Sequence, residues 1–375
     1  MKNQIINLPN ETDLSGFYIV HRGSTLNEKQ GIRGISHLME HLVCKGVDEF
    51  FDDFSRDDIE WNAFTTNDII TFEFQGLEEK LDKYRDKIID RLSVFNITKE
   101  EYENEKKIVI EEYRDTFNEQ PVAHFYNLTR KYFDNYGPIG DLSDLKKLTY
   151  EDCKNYFEIQ FKYPSLIINV SKSKKYENKN IKFAEDADKY YTYYDLILNN
   201  KSFIRQKSNT FKEKTSIIYF SNVLLDDFYQ VTFILKMLGF GLQSPLYSEL
   251  REKRGLVYFV QSDIEKMTDS CGFMYIHTLT SNNNVKELTE TLDEILNNPK
   301  KYLTTERFDV VKDSLMTKFK REKIERYKNV EHCYMPENWN VENYIDNIKY
   351  DDIFDIYEKY FKVWHVSVDK EEFKK

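Results

Sequence analysis

The most restrictive feature of this sequence is the pentapeptide HLMEH at residues 37–41. Its two histidines are four positions apart, and on an α-helix side chains at that spacing project from the same face, one turn apart. The apolar residues Ile35, Leu38 and Leu42 then lie on the other side, where they can anchor the helix in a core. The pattern therefore predicts a helix over residues 32–45 with polar chemistry on one face and packing on the other.

The polar face of this helix has the composition of a metal site. His37 and His41 can bind one ion through their imidazole nitrogens, and Glu40 lies close enough to hold a water molecule and take its proton. The order H-x-x-E-H is the inverse of the commoner zinc-peptidase order H-E-x-x-H. We predict a Zn²⁺ site with His37 and His41 as ligands and Glu40 as a catalytic residue. The competing interpretation is a chance pair of surface histidines.

A third ligand is expected from a segment distant in the chain, because catalytic zinc sites usually have three protein ligands. The helical segment 99–115 carries Glu105, Val109 and Glu112 on one stripe, and carboxylates among apolar residues are costly unless they are paired or bind a metal. We predict Glu112 as the third ligand. Glu105 is predicted to be a carboxylate that contacts a ligand without binding the metal itself. Glu111 is the competing candidate, and an ordinary solvated helix is the competing interpretation.

The charge and composition of the whole chain exclude several classes of function. The net charge is −11 over 375 residues, which argues against nucleic acid and against an anionic membrane surface as partners. No apolar run reaches the length of a membrane span, and residues 1–14 lack the apolar region of a secretory signal. The cysteines are scattered without a C-x-x-C pair, so a reducing, cytoplasmic location is expected.

The two halves of the chain repeat a similar order of strands and helices. We predict an α+β protein of two similar-sized α/β sandwich domains, each a mixed sheet packed by helices. The domains are placed at residues 1–180, with the zinc site, and 213–375, with a linker at 181–212. Strands are predicted at 16–22, 69–75, 165–171 and 215–225, and helices at 77–95, 99–115, 150–160, 284–298 and 305–323.

Longer segments around these residues resemble one known family. The resemblance is carried by EKQGIRGISHLMEHLVCKG (28–46), WNAFTTNDIITFEF (61–74), ENEKKIVIEEYRD (103–115) and LGFGLQSPLYSELREKRGLVYFV (238–260). These segments are similar to those of the pitrilysin/insulysin type of inverzincin metallopeptidase, and especially of two-domain subunits such as those of mitochondrial processing peptidase. The similarity extends over nearly the whole chain.

The resemblance implies roles for further residues. It favours Glu112 over Glu111 as the third ligand, and it places Arg251 and Tyr258 among the catalytic residues, where they bind substrate and steady the oxyanion. On composition alone the same two residues are a salt-bridging arginine and a core tyrosine. The resemblance also assigns substrate binding to the strand that carries Asn62, Ala63 and Thr65.

The resemblance further implies the activity and the assembly. The expected function is a zinc-dependent endopeptidase that cleaves extended or unfolded peptides, working as a homodimer or as a dimer with a related subunit. The alternative is a non-catalytic or weakly active peptide-binding subunit of the same fold. Relatives without activity typically lose a metal ligand or the base, whereas His37, Glu40, His41 and Glu112 are all present here.

Overall fold

The computed structural model describes residues 5–45, 48–133, 136–184, 203–206, 213–267, 271–324 and 341–369. The strands are β1 (Ile5–Pro9), β2 (Leu14–Arg22), β3 (Glu60–Thr65), β4 (Ile69–Leu77), β5 (Leu166–Ser171), β6 (Phe203–Gln206), β7 (Lys214–Leu224), β8 (Val257–Lys266), β9 (Cys271–Ser281) and β10 (His365–Asp369). The helices are α1 (Ile35–Lys45), α2 (Asp48–Asp57), α3 (Glu78–Leu81), α4 (Arg85–Leu92), α5 (Lys99–Asn118), α6 (Gln120–Phe133), α7 (Leu142–Lys147), α8 (Tyr150–Tyr156), α9 (Phe228–Gly239), α10 (Pro245–Tyr247), α11 (Val285–Asn297), α12 (Pro299–Tyr302), α13 (Thr305–Ile324), α14 (Val341–Asn347) and α15 (Asp352–Tyr360).

The described residues divide into two compact units. The first unit takes residues 5–115, 136–184 and 321–324, and the second takes 116–133, 203–320 and 341–369. Helix α6 therefore belongs to the second unit, although it precedes part of the first in the chain. This division differs from the expected domain limits, which kept the whole of residues 1–180 together.

The first unit is built on a mixed sheet with the strand order β1-β5-β2-β4-β3. Strand β1 runs parallel to β5, and the remaining neighbours are antiparallel. The apolar residues of β2 and β4 that face the helices, such as Phe17, Ile19, Phe72 and Phe74, form the main core with α1, α4, α5 and α8. Alternation along these strands sends the intervening residues to the opposite face of the sheet.

The second unit repeats this topology. Its sheet has the order β6-β10-β7-β9-β8, with β6 parallel to β10 and the other pairs antiparallel. Taken in chain order, the five described strands of each sheet are thus arranged as first, fifth, second, fourth and third. The expected class of two α/β units with helix-packed mixed sheets is confirmed.

Helices cover the second sheet on both faces. The large core includes Val231, Leu292 and Tyr357 of α9, α11 and α15. On the other face, Phe125 and Leu128 of α6 pack against β7 and β9. Two buried polar contacts of 2.8 Å tie α6 to the sheet, and a third of the same length continues the chain of contacts within the sheet. They run from Ser367 Oγ to His124, from His124 to Ser216 Oγ, and from Ser216 Oγ to His277.

Several predicted elements have different limits in the structure. The helix predicted over 77–95 is two helices, α3 and α4, separated by a turn. The predicted linker 181–212 lies mostly outside the described residues, but its residues Phe203–Gln206 form β6. Strand β1 and helices α2 and α6 are not among the predicted elements. Strand β1 has five residues, which is too short for a clear alternation, whereas α2 and α6 are amphipathic helices that the sequence prediction overlooked. No helix in the described part of the chain combines the length and apolarity needed to cross a bilayer.

Candidate metal centre

Helix α1 has the two-sided character that its sequence predicts. Ile35, Leu38 and Leu42 are almost completely buried in the core of the first unit. His37 and His41 lie on the opposite side and remain partly accessible, at 16% and 20% of their side-chain surface. The helix packs against β3 and α8, which fixes the direction in which both imidazoles point.

The two histidines meet a carboxylate of α5. The Nε2 atoms of His37 and His41 are 3.2 Å apart. Glu112 Oε2 lies 3.6 Å from the first of these nitrogens and 3.5 Å from the second. Among the described residues, His37, His41 and Glu112 form the group whose ligand atoms converge closely enough to hold a metal ion. Segments more than 60 residues apart in the chain thus supply one compact donor set.

The neighbouring carboxylate Glu111 faces elsewhere. Its side chain is 64% exposed and pairs with Arg114 on the next turn of α5. Successive residues of a helix point about 100° apart, so Glu111 and Glu112 cannot both face α1. The structure therefore brings Glu112, and not Glu111, to the histidines.

Glu105 lies two turns before Glu112 on the same face of α5. It is buried, its Oε2 is 3.4 Å from His41 Nδ1, and its other oxygen is 4.0 Å from Lys45 Nζ. A carboxylate behind a ligand imidazole fixes the tautomer and the orientation of the ring. Within the described part of the chain, Nδ1 of His37 is buried without a hydrogen-bond partner. Burial and the charge of His41 lower the pKa of His37 to about 4.

Glu40 is buried beside this donor set, and among the described residues its carboxylate forms one hydrogen bond. Thr65 Oγ1 donates a hydrogen bond of 2.5 Å to its Oε2. Burial raises the pKa of the Glu40 carboxyl, and the hydrogen bond from Thr65 opposes part of that effect. Substrate binding by Thr65 stays a prediction, and the structure adds a contact of its hydroxyl with Glu40. The carboxylate is thus held in one orientation, with a proton affinity above that of a free glutamate.

Glu28 anchors the start of α1, a role that its place in the sequence does not indicate. The Glu28 carboxylate accepts hydrogen bonds from the backbone N–H groups of Gly34, at 2.6 Å, and Ser36, at 2.8 Å. These are two of the donors that a helix leaves unpaired at its N-terminus. Burial raises the pKa of Glu28 to about 7. A glutamate seven residues before Ile35 gives no recognisable capping signal, because the loop between them must fold back.

The loop before α1 is held from a second side. Asp144 Oδ2 accepts the backbone N–H of Gly31 at 2.7 Å and that of Arg33 at 3.3 Å. Gly34 adopts a positive φ of 97°, and a side chain there would collide with Leu145. Glycine is therefore the residue that this turn requires.

The remaining predicted residues lie in two places. Asn62 and Ala63 are on β3, the edge strand of the first sheet next to α1, and the Asn62 side chain is exposed. Arg251 and Tyr258 are in the second unit. Tyr258 is 82% exposed, which contradicts the interpretation as a core tyrosine. The Arg251 guanidinium stacks over the rings of Tyr247 and Tyr258, at 4.8 and 4.9 Å from their centroids.

Comparison with protein families matches both units. Residues 9–137 match the family described as Insulinase (Peptidase family M16), and residues 173–315 match the family described as Peptidase M16 inactive domain. The two matches together span about seven-tenths of the chain.

Individual proteins with similar sequences carry protease names. The uncharacterized zinc protease YmxG of Bacillus subtilis is 24% identical over 290 residues, which are 72% of this chain and 69% of that protein. The zinc protease PqqE of Helicobacter pylori is 22% identical over 331 residues, which are 80% of this chain and 72% of that protein.

The fold is also found in solved structures. The crystal structure of a protease from Helicobacter pylori has a TM-score of 0.81 at 20% identity, covering 99% of this chain and 98% of that one. The matches to both family domains agree with the resemblance read from the sequence. The chain belongs to peptidase family M16, the pitrilysin-type insulinase family.

Proposed function

We propose that this protein is a zinc-dependent endopeptidase that cleaves extended or unfolded peptides. The observation that carries this proposal is the convergence of His37, His41 and Glu112 beside the buried carboxylate of Glu40. Two imidazoles and one carboxylate are the ligands of a known class of catalytic zinc site, which leaves a fourth position for water or substrate.

The spacing of the donor atoms supports zinc. A tetrahedral ion with Zn–N distances of about 2.0–2.1 Å has its donor atoms about 3.3–3.4 Å apart. The three donor pairs here are separated by 3.2, 3.5 and 3.6 Å. His37, His41 and Glu112 therefore fit the ion without rearrangement of α1 or α5.

Each residue has a distinct part in the chemistry. The bound metal supplies Lewis acidity, which polarises a peptide carbonyl and makes water a nucleophile near neutral pH. Glu40 accepts a proton from the attacking water and delivers it to the departing amine. Its raised pKa suits this task, because a base works best when its pKa approaches the operating pH. Thr65 keeps the carboxylate oriented, and Glu105 holds the His41 ring.

The edge strand β3 offers a place for an extended peptide. Among the described residues, β3 pairs with β4 on one side and with no strand on the other. A peptide added to that edge forms backbone hydrogen bonds, which accept many sequences. Asn62 and the 37%-exposed Trp61 lie on this strand.

We also propose that Arg251 and Tyr258 contact the substrate, as the family resemblance implies. The Arg251 guanidinium lies over the exposed Tyr258 ring, so a ligand can contact the two side chains together. The resemblance likewise supports a dimer as the working assembly, formed by two copies or with a related subunit.

The test combines zinc content with hydrolysis of quenched-fluorescent peptides by the wild type and by Glu40→Gln. We expect about one zinc per chain in both proteins and cleavage by the wild type alone. General-base catalysis contributes roughly 10²–10⁴-fold to the rate, and loss of the base should lower kcat by at least this factor. Cleavage that survives in the variant, or wild-type protein that binds no zinc, would disprove the mechanism.

A second candidate function is a peptide-binding subunit with little or no turnover. It is favoured by the description of the second matched domain as inactive. This alternative predicts zinc in the purified wild type, binding of extended peptides to it, and no cleavage of those peptides at any enzyme concentration. The same measurements therefore separate the two functions.

A further inference from the structure

We propose that a cavity in the second unit binds the side chain of a lysine or arginine residue of a peptide. The cavity has a volume of about 250 Å³ and lies between α6 and the strands β8 and β9. Binding there is independent of whether the chain cleaves peptides, and it involves none of the proposed metal ligands.

The walls of the cavity are largely aromatic. Phe125 and Tyr126 come from α6, Phe259 from β8 and Tyr275 from β9. The rings of Phe125 and Tyr275 are 5.0 Å apart and meet edge to face. Aromatic faces attract ammonium and guanidinium groups, and the alkyl stem of lysine or arginine packs well against the same surface.

A single carboxylate gives the cavity its charge. Glu265 of β8 lines the cavity and is accessible to solvent, and among the described residues it forms no ion pair. Protein atoms nevertheless surround the carboxylate closely, and this desolvation together with Asp263 raises the pKa of Glu265 to about 7. A carboxylate in such surroundings is stabilised by a cation that enters the cavity.

Among the described residues, the other ionisable groups around the cavity form no ion pair with Glu265. From β9, burial lowers the pKa of His277 to about 3, so its ring is neutral. Burial, together with the Glu265 charge, raises the pKa values of Tyr126 and Tyr275, which keeps both phenols protonated. The cation on this part of α6, Arg130, stacks on Phe117 at 4.4 Å.

The size of the cavity suits a single side chain. Its volume of about 250 Å³ is below the range of roughly 300–1,000 Å³ that is usual for drug-sized ligands and cofactors. Gln261 Nε2 donates a hydrogen bond of 3.0 Å to the Tyr275 hydroxyl, which fixes that ring in the wall. The aromatic rings can pack against the alkyl stem of a lysine or arginine side chain, and the carboxylate can pair with the cation at its end.

The experiment is calorimetric titration of the full chain with Nα-acetyl-lysine methylamide, and with the norleucine analogue, which lacks the ammonium group. At pH 8 we expect the lysine compound to bind at least tenfold more tightly than the norleucine compound. Glu265→Gln should remove this preference. Glu290→Gln is the matched control, because it deletes an equal charge from an exposed position on α11.

Titration of the wild type at pH 5.5 gives a second readout without any substitution. Protonation of Glu265 should weaken lysine binding there by at least tenfold, while norleucine binding stays the same. Equal binding of the two compounds at pH 8 would show that the cavity is merely apolar and would overturn the proposal. Absence of binding, or a lysine preference that persists in Glu265→Gln, would overturn it as well.

Discussion

Glu111 and Glu112 are neighbours in the chain, yet they have different surroundings. Glu112 Oε2 lies within 3.6 Å of two imidazole nitrogens, whereas Glu111 pairs with Arg114 at the surface. The two residues are chemically identical, so a comparison of their variants separates the effect of position from the effect of charge.

We therefore expect Glu112→Gln to lose zinc and Glu111→Gln to keep it. Removal of a group that contacts a ligand, but not the metal, typically weakens metal binding roughly 10–100-fold. Loss of a ligand itself should weaken zinc binding by more than that. Glu105→Gln, which removes the negative charge behind His41 Nδ1 and leaves all three ligands in place, should lie within that 10–100-fold range. Competition with a chromogenic chelator measures all three affinities. Equal zinc affinity of the Glu111 and Glu112 variants would disprove the assignment.

At the scale of elements, the metal centre depends on how α1 begins. Its first turn is held by the Glu28 carboxylate through Gly34 and Ser36, and Ser36 Oγ also lies 2.8 Å from the Tyr156 hydroxyl of α8. His37 follows directly, so these contacts determine the rotation of the helix about its axis and hence the direction of both imidazoles.

Glu28→Gln should destabilise the first unit. An amide offers one acceptor oxygen, so one of the two buried N–H groups loses its partner at a cost of about 1–3 kcal/mol. Urea denaturation measures this loss, with Glu79→Gln on the exposed side of α3 as the control. A free energy of unfolding equal to that of the wild type would show that the cap contributes nothing.

At the scale of the whole molecule, buried polar contacts join segments that lie far apart in the chain. In the second unit, His124 joins α6 to β7 and β10 through two serines. Burial, with the charge of His277, lowers the pKa of His124 to about 3. The folded protein therefore keeps this ring neutral at pH values at which the unfolded chain protonates it.

The stability of the wild type should consequently fall in acid. Below pH 6.5 the unfolded state binds a proton at His124 that the native state does not. Relative to His124→Gln, the free energy of unfolding should therefore decrease by about 1.4 kcal/mol for each pH unit between 6.5 and 4. Denaturation of both proteins across this range measures the difference, and above pH 7 their curves should run parallel. Parallel curves throughout would contradict a neutral buried His124.

The sequence by itself determined what depends on local spacing. Helix α1 and the common face of His37 and His41 follow from the 3.6-residue period, and the common stripe of Glu105 and Glu112 follows in the same way. The alternating segment at β4 likewise indicated a strand. The class of two helix-packed mixed sheets was predictable, because the order of strands and helices is visible in both halves.

Only the tertiary structure decided what depends on contacts between distant segments. Spacing alone left Glu111 as a candidate, and the packing of α5 against α1 brings Glu112 to the histidines instead. The hydrogen bond from Thr65 to Glu40 and the Glu28 cap of α1 likewise need segments that meet only after folding. Helix α6 joins the second unit because Phe125 and Leu128 pack against that sheet and His124 forms a buried polar contact with it. Local periodicity specifies the face of an element, whereas the packing of complementary surfaces specifies its partner.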